Sequence, residues 1–593
     1  MKFIESVQKP ARYCGGEYGT PDVKKQADAS LLLCFPDVYE VGMSNVGTRI
    51  LYFGINQIPY AKCERCYAPW PDMGKWLLDN GKKLTSLETD SSFFDFSFVG
   101  FSLQYELSYT TVLYMLDLAG FPLYSANRDE SFPIVIGGGP CAVNPEPIAP
   151  FFDAFMLGDG ETPWAEVLRL KKENKHLSKK EFLKLLQREL DCIYVPELLN
   201  VSYEGDKPIA MSFDKPVKQY KERDLDKTFF PHTALVPNLE IVHDRGVAEL
   251  FRGCANGCRF CQAGFIYRPV RERKPETVMQ ICKDIIKNTG YDELSLSSLS
   301  TGDYSGLRPL MQELIPWVNQ NKIGLSIPSL RMDSFDASYY DTEKKIALTF
   351  APEAGTQRLR DVINKNVTEE EIFDTLKDAF QKGFSSVKLY FMIGLPTETM
   401  EDVAGIAHLA NKIKQLFFTY KQKGKFLNLS ASVSIFIPKP FTPFEWEEFS
   451  DKELIDQKQS LLRDLFRQYK INLSWHDYNT SHIEALLARG GRTLARVLEQ
   501  AYKNGAKFDA WSEYFNPQNY FDALKQFNFD QSAVLAKKDF DQLLPWDFVS
   551  IGVDKQYLKK EALLAYGCAT TQSCLKGCNG CGLTKEGFCN AGN

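Results

Sequence analysis

Three cysteines constrain this chain more than any other feature. Cys254, Cys258 and Cys261 fall in the stretch Arg252–Gln262, RGCANGCRFCQ, as a C-x3-C-x2-C array. An apolar, strand-like run, Val247–Phe251, leads into it, and a helical pattern follows. Three thiolates this close can hold three irons of a [4Fe–4S] cube and leave the fourth iron without a protein ligand. An open iron can bind a small molecule, which turns a cluster from an electron carrier into a reaction centre. The competing assignment is a zinc knuckle lacking one ligand. Zinc sites usually pair two C-x2-C elements or add histidines, and no histidine follows the array until His408.

The rest of the composition sets bounds. The 593 residues predict roughly two to four domains. Lys and Arg number 70 against 76 Asp and Glu, a net charge of −6, so the surface as a whole is not built to capture nucleic acid. No run approaches the ~18 apolar residues of a membrane span, and the start, MKFIESVQKPARYCGG, lacks the apolar core of a signal peptide. Fifteen cysteines in such a chain imply a reducing cytoplasmic location and metal chemistry, not disulfides.

The pattern along the chain is α/β. Residues 1–215 alternate apolar runs (Ser30–Pro36, Phe94–Leu103, Pro133–Gly139, Ala154–Gly160) with helical stretches (Asn45–Ile58, Glu106–Ala119). That order predicts a doubly wound parallel sheet with ligands beyond the strand carboxyl ends, where Gly137, Gly138 and Gly139 fall. Leu198–Asp226 reads as a connector or small β excursion. Residues 238–475 offer six further strands, Glu240–Phe251, Glu293–Ser298, Gly324–Ser329, Ile346–Phe350, Ser386–Gly394 and Leu429–Pro438, with helices between them. These predict a partial (β/α)6 barrel, with its working residues again at the strand ends. Residues 476–565 are helical in pattern, and 566–593 form a cysteine-rich tail.

With the triad, the motifs of residues 238–475 resemble the radical SAM superfamily, whose enzymes bind S-adenosylmethionine (SAM) at the open iron. The resemblance implies that Thr301-Gly302-Asp303 receives the methionine amino group, with Asp303 as acceptor. It implies that Arg331 pairs with the SAM carboxylate and that Glu353 in FAPEAG contacts SAM. In MIGLPTE, Gly394 and Pro396 would lie along the adenine. Residues 1–215 are similar to the cobalamin-binding domain often fused ahead of such a barrel. The likeness rests on the FSLQYE strand end with Ser102, on IGGGP (Gly137–Gly139), and on LGDGE. Members with a histidine ligand to cobalt carry D-x-H-x-x-G after the first strand. Here Asp37, Tyr39 and Gly42 occupy that frame, with a phenol where the imidazole would be. Cobalamin would thus bind without a histidine from this position; the alternative is a domain that has lost the cofactor. KPARYCGGE, YAPWPDM, GFSLQYELSYT and PKPFTPFEW extend the resemblance to one family over nearly the whole chain, although Phe441 stands where members carry a histidine.

Cys568, Cys574, Cys578, Cys581 and Cys589 are interleaved with glycines, and three of them repeat the C-x3-C-x2-C spacing. They suit a second iron–sulfur cluster or a zinc ion, which would also supply folding energy to a segment too short for a core. Cys63 and Cys66 read as packing or surface thiols; Cys14, Cys34, Cys141, Cys192 and Cys282 read as small core residues. Arg268, Arg271, Arg273 and Lys274 read as a solvated charged face, and His476, His482 and the Arg489–Arg492 run as structural. The resemblance implies a radical SAM enzyme that cleaves SAM reductively, with a reducing partner such as flavodoxin or ferredoxin. Cobalamin-dependent methyl transfer, or a related modification such as methylthiolation, of RNA or protein would follow. The rival is a non-catalytic iron–sulfur or zinc sensor, or a nucleic-acid-binding module.

Overall fold

β1 (Ala29–Phe35) is buried along its whole length, as a strand covered on both faces by helices must be. The computed structural model describes residues 5–22, 24, 26–328, 347–585 and 587–589. β1 is joined by β2 (Ala61–Tyr67), β3 (Phe98–Ser102), β4 (Ile134–Gly138), β5 (Ala154–Met156) and β6 (Ile193–Tyr194) in one sheet of order β2-β1-β3-β4-β5-β6. All neighbours are parallel except β5 and β6. The order reverses direction between β1 and β3, which is where an open α/β sheet leaves a crevice for a ligand. The helix Val46–Gln57 enters that crevice, its start fixed by Asn45 Oδ1 accepting the Thr48 N–H at 2.9 Å.

Two departures from the sequence expectations have local causes. β2 escapes the pattern because AKCERCY carries charge into the sheet. Glu64 is buried against Lys62 and Ser86, and Arg65 against Glu17 and Glu88. Phe94 does not begin a strand, because a Ser92/Asp95 capping box bends Phe93–Asp95 into a 3-10 turn ahead of β3.

The expected β excursion is a hairpin, β7 (Asn200–Glu204) and β8 (Lys207–Ser212), followed by β9 (Val217–Lys218). The six strands expected beyond it appear in order. β10 (Gly246–Glu249) starts late, because Val242 and His243 donate their N–H groups to Glu40 O and Ser44 Oγ of the first domain. The short antiparallel pair β11 (Phe251–Arg252) and β12 (Arg271–Glu272) closes the base of the cysteine loop. β10, β13 (Glu293–Ser297) and β14 (Gly324–Ser326) form one parallel sheet. β15 (Leu348–Glu353), β16 (Ser386–Ile393), β17 (Asn428–Ile435) and a seventh strand not foreseen, β18 (Asn472–Trp475), form the second.

The helical segment beyond β18 returns to the first domain. Leu498, Phe508 and Trp546 share one core with Phe101, Tyr109 and Leu113. Trp511 Nε1 donates to Asp37 Oδ1 at 2.9 Å, and β19 (Val549–Ser550) pairs with β9. Among the described residues no helix is long and apolar enough to cross a membrane.

Candidate functional site

The cysteine loop leaves β11 through Gly253, whose φ of 93° suits only glycine. A Cβ there would stand 2.4 Å from Pro269 O. Three polar side chains then fasten the loop. Arg259 is fully buried; it donates to Val362 O at 2.9 Å and Ala569 O at 2.7 Å and pairs with Glu561 at 3.1 Å. Arg268 donates to Gly264 O at 2.8 Å and Asn256 O at 3.1 Å. Asn364 Nδ2 donates to Gly257 O at 3.0 Å. So held, Cys254, Cys258 and Cys261 lie within electrostatic range of one another. Burial, then the neighbouring Cys258, push the Cys254 thiol up and the Cys261 thiol up to about 12. Cys254 and Cys261, which disfavour ionisation beside Cys258, belong to a donor set that a cationic cluster would relieve, with release of protons.

Among the described residues, the structure brings Thr301–Asp303, Glu353 and the Gly394 turn to the same loop. Thr301–Asp303 is a 3-10 turn after β13. Asp303 Oδ2 accepts from Ser300 Oγ at 2.6 Å and from Asn256 Nδ2 at 2.7 Å, while Asn256 Nδ2 also points at Cys254 Sγ at 3.8 Å. Asn256 therefore links the first thiol to the acid; its place in RGCANGC was the available signal, and pattern reading passed over it. Glu353 ends β15 in the left-handed region, φ 67°, past a register shift. Burial pushes its carboxyl pKa up, and Lys365 Nζ at 3.3 Å opposes that shift. Lys365 also acts on Cys261, a second neighbour that the sequence did not mark. Gly394, φ 85°, turns the chain at the end of β16, and Leu395, ahead of Pro396, joins Ala354, Met392 and Phe436 in an apolar pad against Phe260. Arg331 lies outside the described residues.

A cavity of about 390 Å³ opens at the β1/β3 switch point. Ser102, Gly137, Gly138 and Gly139 line it as expected, together with Asn45–Thr48 and Gly158–Glu161. Its opposite wall belongs to the second domain: Glu249, Phe251, Arg252 and Gly253, the residues that deliver Cys254, and Ser297–Leu299 just before Thr301. Arg252 anchors that wall, paired with Glu161 at 2.6 Å, Glu249 at 2.9 Å and Asp159 at 3.3 Å. Asp37, Tyr39 and Gly42 do not line the cavity. Asp37 is held by Trp511. Tyr39 is buried edge-on to Tyr67 and accepts from the Asn238 N–H, and a Cβ on Gly42 would strike the Tyr67 ring.

Two other expectations are corrected, those for the basic run and for Cys14. Arg268, Arg271 and Arg273 are buried, not solvated; they satisfy carbonyls and the carboxylates Asp159 and Glu249. Cys14 is exposed, while Cys34, Cys63, Cys66, Cys141, Cys192 and Cys282 are buried. His482 packs among Phe449, Tyr478 and Phe521, and Arg492 pairs with Glu146. The short signatures meet one another: Lys439 of PKPF binds Glu106 of LQYE and Glu484, both at 2.8 Å. In the tail, Cys574 and Cys589 each lie within electrostatic range of Cys578 and Cys581, whereas Cys568 packs with Phe260 on the same apolar pad.

Comparisons with known proteins give the family. Residues 47–196 match the model for the N-terminal part of radical SAM proteins, and residues 248–410 match that of the radical SAM superfamily. An uncharacterized protein of Methanocaldococcus jannaschii is 29% identical over 440 residues, 72% of this chain and 83% of the relative. The tRNA-2-methylthio-N(6)-dimethylallyladenosine synthase of Clostridium beijerinckii is 25% identical over 182 residues, 29% of this chain and 40% of that one. The solved structure of the radical SAM methyltransferase TsrM from Kitasatospora setae, with cobalamin and a [4Fe–4S] cluster bound, aligns at 13% identity and a TM-score of 0.47. It covers 70% of this chain and 76% of that one. With a cysteine triad at the end of a barrel strand, an acid tied to its first thiol, and two family models that together span just over half its length, the chain belongs to the radical SAM superfamily of enzymes.

Proposed function

We propose that this radical SAM enzyme is a cobalamin-dependent methyltransferase acting on a macromolecule. One observation carries the reading: the switch-point cavity is walled on one side by the first sheet and on the other by the residues that deliver Cys254 and Thr301. A group seated there would lie against the residues that lead into the SAM site. When bound, the open-cornered cluster supplies the electron that splits SAM, and a corrinoid in the cavity supplies a methyl group carried on cobalt.

The chain's own residues do the positioning. Cys254, Cys258 and Cys261 hold three irons. Asp303, oriented by Asn256, accepts from the amino group of SAM. Glu353 and the strand-end turn at Gly394 flank the rest of that ligand. Among the described residues no histidine lines the cavity, and Tyr39 is committed elsewhere, so a corrinoid would be held without a side-chain ligand from the Asp37–Gly42 segment. The apolar pad against Phe260 would help keep water from the reacting centre. A one-electron donor of the flavodoxin or ferredoxin class supplies reducing equivalents. RNA is the first substrate to test, since one relative is named for a tRNA modification.

Protein reconstituted without oxygen is expected to retain one corrinoid and, with SAM and dithionite, to release 5′-deoxyadenosine. RNA and protein mass spectra from cells with and without the gene should differ by methyl increments. Failure to retain any corrinoid would sink the methyltransferase reading, and a methylthio increment would replace it with sulfur insertion.

A further inference from the structure

The tail cysteines and the buried Lys221 have no part in the reading above, yet the tail touches the loop that carries Cys254. Residues 569–574 lie along the back of the SAM-cluster loop. Cys574 donates its N–H to Ala255 O at 3.0 Å, Thr571 N–H bonds to Asn364 Oδ1 at 2.8 Å, and Arg259 reaches Ala569. Ala255 follows Cys254 directly, so one backbone hydrogen bond connects a ligand of the first cluster to a thiol of the tail.

Beneath this second set of thiols lie Lys221 and Arg268, 4% and 2% exposed. Cys581 is in electrostatic reach of both, and Cys574 of Arg268. Lys221 donates to Arg268 O and to Ile551 O, and Arg268 to two carbonyls. Among the described residues neither has a carboxylate within ion-pair distance, and Arg268 Nη1 has no hydrogen-bond partner. A buried guanidinium such as Arg268 needs an anionic partner, and four thiolates around a metal centre would be such a partner. Donors also point at sulfur: the Gly580 N–H at Cys578 Sγ, 3.4 Å, and Asn579 Nδ2 at Cys574 Sγ, 3.6 Å. Such hydrogen bonds tune an iron–sulfur cluster. Among the described residues no three His, Cys, Asp or Glu side chains are gathered closely enough to hold a single ion; a cube spreads its ligands farther apart.

We propose that Cys574, Cys578, Cys581 and Cys589, without Cys568, hold a second [4Fe–4S] cluster with every iron ligated, and that it relays electrons to the first. In each transfer a reduced one-electron carrier protein is oxidised, the tail cluster is reduced and then reoxidised, and the SAM cluster gains that electron. The proposal rests on the radical SAM assignment but not on cobalamin.

The test is metal content and electron source. Reconstituted wild type should contain about eight irons per chain. Serine at all four tail positions (Cys574→Ser, Cys578→Ser, Cys581→Ser, Cys589→Ser) should lower this to about four, keep SAM cleavage driven by dithionite, and lose cleavage driven by reduced flavodoxin. Cys568→Ser should leave the iron count unchanged. Serine at Cys254, Cys258 and Cys261 should leave about four irons and a cluster spectrum, which guards against collapse of the tail variant. About four irons with about one zinc in the wild type, or flavodoxin-driven cleavage surviving in the tail variant, would overturn the proposal. Loss of corrinoid alone would overturn only the methyltransferase reading.

Discussion

Replacing Arg259 by Met tests whether the cysteine loop and the tail are one mechanical unit. The guanidinium joins three segments: its own loop, the carbonyls of Asp361 and Val362, and the tail through Ala569 O and Glu561. Its partner Glu561 is 2% exposed and, among the described residues, keeps only Thr571 Oγ1, at 2.8 Å, once the cation is gone. Stranding one member of a buried pair costs about 3–5 kcal/mol. If that cost falls on the docking of helix Lys555–Tyr566, its opening equilibrium rises roughly a hundredfold to several thousandfold. Amide hydrogen exchange of that helix reads the change directly. The double variant Arg259→Met/Glu561→Leu, which removes both charges and keeps apolar volume, should recover most of the protection. A loss of protection under about fivefold in the single variant would place the pair among weak surface contacts and refute the reasoning.

Three further outcomes are expected. Asp303→Asn should raise KM for SAM about ten- to a hundredfold, the worth of one charged hydrogen bond, with iron content unchanged; an unaltered KM would remove Asp303 from the SAM site. Gly138→Phe should abolish corrinoid retention and spare the iron, because a Cβ there meets nothing nearer than Met156 O at 3.5 Å, and equal retention would empty the cavity of its role. Glu445, fully buried under Trp546 Nε1, has its carboxyl pushed up to about 7 by burial. The folded state thus binds the extra proton, and stability falls as pH rises from about 4.5 to about 7. Glu445→Gln should therefore stabilise at pH 8, on the order of 3 kcal/mol, and not at pH 5; thermal melts that shift equally at both pH values would contradict this.

The sequence made the strand–helix alternation and the chemistry of the cysteine loop legible, because both are written in local spacing. Ser102 and Gly137–Gly139 were legible for the same reason: glycine turns mark strand ends. What stayed hidden was encoded by partners distant in sequence. The charged run of β2, the edge strand of its sheet, gave no strand pattern, because the partners of Arg65, Glu17 and Glu88, come from elsewhere in the chain. The basic run Arg268–Arg273 looked solvated because nothing nearby announces that Asp159 and Glu249 converge on it. Tyr39 sits in the motif frame yet turns into the core, since side-chain direction depends on Tyr67 and Asn238. Asn256 and Lys365 are ordinary polar residues until the fold sets them beside thiols.

The return of the last helices to the first sheet bears on how the chain matures. Trp70 is enclosed by Phe508, Trp511 and Tyr514, and the Tyr109–Ala119 helix is covered by residues near Leu498. A ribosome that has made the first four hundred residues has therefore released a sheet with one flank still bare. Nascent chains halted there should expose that flank to holdase chaperones and to protease.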